Sequence, residues 1–191
     1  MKHMQHRGIG APRGFTLIEL MVTIAIIAIM MMIAAPSFSS FQRSSDLSAS
    51  ANAFLSTMAA TRAEAMKRGV KAYIVPIDPD NNWAKGWRAF ADTNWDGVYT
   101  AADVLISEQE ALPSTVTVTT ATDVDGFARG SSFYVAFNGS GYPTLKSTDT
   151  GTPSGAIQFS ISGSDKRVVL NPVGRMRVCK ASDTSCTPSG F

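Results

Sequence analysis

The chain of 191 residues holds two histidines, and both of them, His3 and His6, precede Phe15. From Phe15 to Phe191 there is none. That absence excludes Ser-His-Asp and Cys-His nucleophilic sites from the bulk of the chain and removes the commonest zinc ligand. Charge is scarce too, at 17% of residues, against roughly 25% in an average soluble protein. The shortfall is local. Phe15 to Ala35 are 21 consecutive positions with Glu19 as the only charge. As a helix such a run is roughly 31 Å long, the thickness of a bilayer core. No acid precedes it, whereas Lys2, Arg7 and Arg13 do. Removing the first fourteen residues therefore takes away three of the 17 bases and none of the 15 acids, leaving a net charge of −1. A remainder so balanced has no global field to draw it onto nucleic acid or anionic lipid, so any such binding needs a local patch. The length suits one domain of ordinary size plus an appendage.

A secretory signal would place a short apolar stretch before a small-residue cleavage site. Here the run is longer, and the distinctive residues, Arg13-Gly14-Phe15-Thr16-Leu17-Ile18-Glu19-Leu20, come ahead of it. The basic leader is expected to stay cytoplasmic and the rest to emerge on the far side. Glu19 is costly in lipid, on the order of 2.5–3.5 kcal/mol at a helix centre, which argues for a partner. Its place four residues after Phe15 also lets it snorkel to the membrane edge.

The stretch resembles the prepilin leader of type IV pilins and type II secretion pseudopilins. The resemblance implies cleavage by prepilin peptidase between Gly14 and Phe15, methylation of Phe15, and a role for Glu19 in assembly, meeting the terminal amine of a neighbouring subunit. It further implies single-pass insertion in the bacterial inner membrane and then incorporation into a filament of other pilin subunits, with the head periplasmic or extracellular. The expected organisation is a leader over 1–14, a transmembrane and assembly helix over 15–36, an amphipathic half-helix over 37–69 and a β-rich head over 70–191.

Pro36 should kink or interrupt the helix. Beyond it Leu47, Ala51, Phe54, Leu55, Met58 and Met66 recur as one amphipathic stripe. Lys67-Arg68-Gly69 reads as its stop. Short strands are expected at Lys71 to Ile77, Gly86 to Asp92, Val104 to Leu112, Val116 to Thr120, Ser132 to Phe137, Ala156 to Ser162 and Lys166 to Leu170, with Thr144 to Gly155 as a loop. One long helix on an antiparallel sheet is an α+β arrangement, and it matches the pilin fold.

Three constellations stand out in the head. Asp92, Asn94, Asp96, Gly97 and Asp103 approach the spacing of a twelve-residue calcium loop. Strand-like flanks and the Asp-Gly pair also suit an ordinary turn. Cys179 and Cys186, the only cysteines, favour a disulfide in an exported head. Finally, Lys166, Arg167, Arg175, Arg177 and Lys180 lie within fifteen residues that hold no acid. If Gly174-Arg175-Met176-Arg177 were strand, both guanidiniums would share one face about 7 Å apart, within reach of neighbouring phosphates. The alternative is a solvated face, or arginines paired within the head.

Gly-Arg-x-Arg followed by Val-Cys resembles the tail of FimT-type minor pilins, in the FimT/GspH family. In these the motif binds DNA during natural transformation, and a similar Trp/Asp/Asn/Gly stretch joins two strands without requiring metal. The resemblance implies DNA binding by Gly174, Arg175 and Arg177, assisted by Lys166, Arg167 and Lys180, to double-stranded DNA, weakly and without sequence preference. It implies no enzyme, no cofactor and no metal. A tip subunit that primes pilus assembly, and a pseudopilin of GspH type serving protein export, are the alternatives.

Overall fold

Thr16 and Glu19 start the one long helix among the described residues. The Thr16 backbone N–H and hydroxyl both donate to Glu19 Oε2 at 2.9 Å, and the Glu19 N–H donates back to Thr16 Oγ1 at 3.3 Å. This reciprocal capping box satisfies two N–H groups that a helix end leaves open. Helix α1 (Leu17–Arg68) follows, 52 residues long, and ends at Gly69, whose φ of 68° is the left-handed cap conformation. The computed structural model describes residues 14–119, 127–129 and 131–189, and of residues 33–37 only the backbone. The leader up to Arg13 lies outside the described residues, as does Thr120. Of the kink or interruption expected at Pro36, the interruption is absent: α1 runs through it. A proline removes a single i to i−4 bond, a cost of about 3 kcal/mol, which the turns on either side can carry.

The chain divides into two compact units, Met1–Phe41 and Gln42–Phe191. In the first, the large apolar side chains from Phe15 to Met32 are exposed. Among the described residues no helix is long and apolar enough to cross a membrane.

The second unit buries the amphipathic stripe. Leu47, Ala51, Phe54, Met58 and Ala65 are buried, and the intervening step is filled by buried Thr61, whose hydroxyl donates to the Thr57 carbonyl at 2.7 Å. Met66, expected in the stripe, is exposed. A helix turns about 100° per residue, so Ala65 takes the inward position and Met66 is rotated off it. Among the described residues ten strands, all antiparallel, join it: β1 (Ala72–Pro76), β2 (Trp87–Ala91), β3 (Val104–Gln109), β4 (Thr117–Thr119), β5 (Ala128–Arg129), β6 (Ser132–Phe133), β7 (Val135–Phe137), β8 (Gly155–Ile161), β9 (Ser164–Leu170) and β10 (Met176–Lys180). They form one sheet in the order β3-β2-β1-β7, a second in the order β10-β9-β8-β4, and the small pair β5-β6. The expected strand at Ser132 to Phe137 is split at Tyr134, because β6 pairs with β5 while β7 pairs with β1. β5 and β10 had not been expected.

Phe54 is the hub between the sheets. Its ring lies 5.1 Å from Trp87 of the first sheet and 6.0 Å from Phe159 of the second. Trp87 Nε1 donates to Thr57 Oγ1 at 3.1 Å, so the indole N–H is satisfied inside the core. The architecture is the expected α+β one.

Candidate nucleic-acid interface

The antiparallel register of β9 and β10 sorts the five cations of the carboxyl-terminal segment. Lys166 stands opposite Lys180, and Arg177 opposite Val169. Side chains alternate along a strand, so Lys166, Val168, Leu170, Met176, Val178 and Lys180 share the face that packs on α1. Lys166 Nζ accordingly reaches Ser48 Oγ on the helix at 2.8 Å. Lys166 and Lys180 line a groove of about 390 Å³ with Ser44, Asp165 and Ser182. On the other face Arg167 is buried, its Nε donating to Gln158 Oε1 at 2.8 Å. It is a structural residue, not an available phosphate ligand.

Arg177 lies on that same outer face, half-buried, under the loop that Cys179 and Cys186 close. The disulfide expected from the sequence is formed, with the Cα atoms 5.9 Å apart. Arg177 Nη2 donates to the Ser185 carbonyl oxygen within this loop, and to Ser185 Oγ at 3.4 Å. Asp183 completes the cluster. The N–H and hydroxyl of Ser185 and then the charge of Arg177 hold its carboxyl below the ordinary aspartate range.

Arg175 is in a different setting. It is exposed and precedes the strand, since β10 begins at Met176. The loop joining β9 to β10 is stapled by Asn171, whose Oδ1 accepts the N–H groups of Val173 at 3.1 Å and Arg175 at 2.8 Å. Gly174 is buried at φ 88°. A methyl group there would stand 3.2 Å from Pro143 Cδ, and the Gly174 carbonyl accepts Arg62 Nη1 at 2.9 Å. The glycine is thus required by backbone geometry and by its neighbours in the fold, not by an approaching ligand. Lys180 is five residues further on, roughly 17 Å at strand rise. The cations therefore separate into a loop-tip arginine, an arginine held under the disulfide loop, a buried arginine and a pair of lysines at the far end. Arg62 escaped the sequence reading because it arrives from α1, 112 positions earlier, and no local pattern marks such a contact.

Between β2 and β3 the carboxylates act on backbone N–H groups. Buried Asp92 accepts Gly97 N–H through Oδ2 at 3.0 Å. Asp96 Oδ1 accepts Val98 N–H at 2.7 Å, and Asn94 Nδ2 donates to Asp96 Oδ2 at 2.7 Å. Asp103 accepts from Thr93 N–H and from the N–H and hydroxyl of Thr100. Burial alone would raise its pKa, but these bonds together hold it below the ordinary range. Among the described residues no three His, Cys, Asp or Glu side chains converge to hold a metal ion.

Gly14, Phe15 and Glu19 sit together at the start of α1, with Phe15 exposed and the Glu19 carboxylate engaged by Thr16. The capping role of Glu19 is legible in the sequence as Thr16-x-x-Glu19.

Comparison with known proteins gives a consistent answer. The model of the prokaryotic N-terminal methylation motif matches residues 11–35. No curated protein matches the chain. Among solved structures, the type IV minor pilin FimU of Pseudomonas aeruginosa (strain PAO1) is similar at a TM-score of 0.52 and 14% identity, over 75% of this chain and 95% of FimU. The minor pseudopilin EpsH from the type 2 secretion system of Vibrio cholerae is similar at a TM-score of 0.50 and 15% identity, over 72% of this chain and 99% of EpsH. At such identities these likenesses establish the fold. The model described as type II transport protein GspH matches residues 50–174, about two thirds of the sequence, and the chain belongs to that family of minor pilins and pseudopilins.

Proposed function

We propose that this protein is a non-enzymatic minor pilin of FimT type, anchored in the inner membrane by Phe15 to Ala35 and then assembled near the tip of a type IV pilus. Prepilin peptidase cuts between Gly14 and Phe15, Phe15 is methylated, and Glu19 exchanges its capping contact with Thr16 for the new amine of a neighbouring subunit. The match to the methylation motif supports this course. In the pilus the head takes up DNA through phosphate contacts.

The observation that carries the DNA reading is the exposed Arg175 at a stapled loop tip. Arg177 is two residues on, beside a loop whose carbonyl it must release to bind a phosphate fully. Two neutralised phosphates give a salt slope of only about −1.8, so binding is weak and indifferent to sequence. Lys180 and Lys166 add contacts only for a duplex long enough to span the roughly 17 Å between the two ends. The test is a salt-titrated gel shift with the full chain in detergent, comparing wild type with Arg175→Ala plus Arg177→Ala. The double variant should lose duplex binding and abolish DNA uptake while leaving pili intact. Unchanged uptake would leave a tip subunit that primes assembly.

A second reading, a pseudopilin of type II secretion, is supported by the description of the matching family model. Deleting the gene would then block release of exoproteins and leave DNA uptake unaltered.

A further inference from the structure

The loop that carries Arg175 has a twin. In Asn171–Arg175 the Asn N–H donates to the Arg175 carbonyl at 3.0 Å and the Gly174 N–H donates to the Asn171 carbonyl at 3.0 Å. In Asn138–Tyr142 the Asn N–H donates to the Tyr142 carbonyl at 2.9 Å and the Gly141 N–H to the Asn138 carbonyl at 2.8 Å. Each Asn Oδ1 accepts the N–H groups two and four residues on, in the second loop those of Ser140 and Tyr142, both at 3.0 Å. Each loop has glycine at its fourth position, with φ 88° in one and 80° in the other. The pattern is Asn-x-x-Gly followed by the residue presented, which is Arg175 in one loop and Tyr142 in the other.

The twins are packed against each other. A methyl group on Gly174 would stand 3.4 Å from the Gly141 carbonyl oxygen and 3.2 Å from Pro143 Cδ. These flank Tyr142 on either side. Beneath them the Arg62 guanidinium bonds the Gly174 carbonyl and also lies beside Gly141. The glycines and Pro143 are buried, whereas Tyr142 is 54% exposed and Val173, which precedes Gly174, is 65% exposed. Tyr142 and Arg175 are therefore two exposed residues that follow the paired glycines of two interlocked loops.

We propose that Tyr142 and Arg175 form one platform for single-stranded nucleic acid, the ring stacking on an unpaired base and the guanidinium taking an adjoining phosphate. The inference rests on the DNA reading and refines it. A ring accepts any base face but needs that base out of its pair, so frayed ends and single-stranded stretches are held in preference to intact duplex. The positive charge of Arg175, with Arg62 behind it, complements the strand that the ring engages.

Fluorescence anisotropy with the full chain in detergent micelles tests this, using a labelled oligothymidine of twenty nucleotides and a blunt duplex of equal length. Wild type should bind the single strand more tightly. Tyr142→Ala should weaken single-strand binding by about tenfold, within the range that loss of one stacked base gives, and leave duplex binding unchanged. Tyr142→Phe keeps the ring and should bind as wild type does, which guards against a folding artefact. Arg175→Ala should weaken both and reduce the salt slope by about one. If Tyr142→Ala binds both probes as wild type does while Arg175→Ala weakens both, the platform is wrong and the DNA reading survives. Equal loss on both probes, loss in Tyr142→Phe, or a wild type without single-strand preference also overturns it. A wild type that binds neither probe overturns platform and DNA reading together.

Discussion

The two sheets solve one problem in two ways. Each has an inner face on α1 and an outer face that a loop must cover. The outer face of the first sheet carries large rings: Tyr73, Phe90 and Tyr134 are buried there with Ala136, and the Lys146 ammonium lies 5.7 and 5.2 Å from the two tyrosine ring centres. The outer face of the second carries small groups, Ala156 and Val169 with Cys186 against them. At about 25 cal/mol per Å² of apolar surface, three rings hold their cover by burial alone. An alanine and a valine do not, and a covalent bridge ties the cover down instead. The head should thus respond to titration on one outer face and to reduction on the other.

The largest effect should come from breaking the ring cluster. Phe90 is fully buried, 5.6 Å from Tyr73 and 5.4 Å from Tyr99. Phe90→Ala should cost about 3–4 kcal/mol, in the range for truncating a buried phenylalanine, read as a lowered unfolding midpoint in urea. Next comes the bridge. For so short a closed loop the chain-entropy relation gives about 2.5 kcal/mol. Cys179→Ser with Cys186→Ser should lose that much, and a reductant should lower wild type to the same midpoint while leaving the variant unmoved. Equal sensitivity of Phe90→Ala and wild type to reductant would sharpen the contrast, because it would show that the two faces act independently.

A third effect belongs to alkaline solution. Burial, and then the hydrogen bond to Asp149, push the Tyr134 phenol up to about 12. Burial, with Asp92 close by, raises Tyr73 as well. A group whose pKa is raised on folding contributes stability that is present below its unfolded value and lost as pH rises through the folded one. Stability should therefore fall between pH of about 10 and 12. Tyr134→Phe, which gives up the bonds to Asp149 and from Lys146 N–H, should start about 1 kcal/mol lower at neutral pH and decline less steeply above 10. An alkaline decline identical to that of wild type would mean that the first face does not titrate as a unit.

How much of this could be read from the chain varies with the range of the interaction. The capping box at Thr16 and Glu19, the helix stop at Gly69, the strand periods and the bridge between Cys179 and Cys186 are contained in windows of a few residues. They are legible for that reason. The split at Tyr134 was not, because it depends on which partners β6 and β7 find. Nor was the fate of the basic segment. Arg175, Arg177 and Arg167 are identical as letters, yet one is at a loop tip, one under the disulfide loop and one buried against Gln158. That sorting is done by Asn171, by the register of β10 on β9, and by Arg62 on a distant helix. The twin loops lay in plain view as Asn138-x-x-Gly141 and Asn171-x-x-Gly174, but only their packing gives the repeat a meaning.

The smallest effect concerns Asp103, and it tests whether carboxylates secure the cover of the first sheet. Its hydrogen bonds from Thr93 and Thr100 outweigh the burial that would raise its pKa, and the net shift is downward. A group lowered on folding stabilises above its unfolded pKa, near 3.9 for aspartate, and that contribution is lost as pH falls through the folded value. The protein should therefore hold its unfolding midpoint down to pH of about 4 and lose stability below it. Asp103→Asn keeps the shape and one acceptor oxygen but gives up the charge-assisted bonds, so it should be less stable by about 1 kcal/mol at neutral pH. The difference should shrink as the solution is acidified and the wild-type carboxyl takes up its own proton. A gap between wild type and variant that stays constant from pH 7 to 2 would show that shape, not charge, closes this loop. The outer face of the first sheet would then depend on its rings alone.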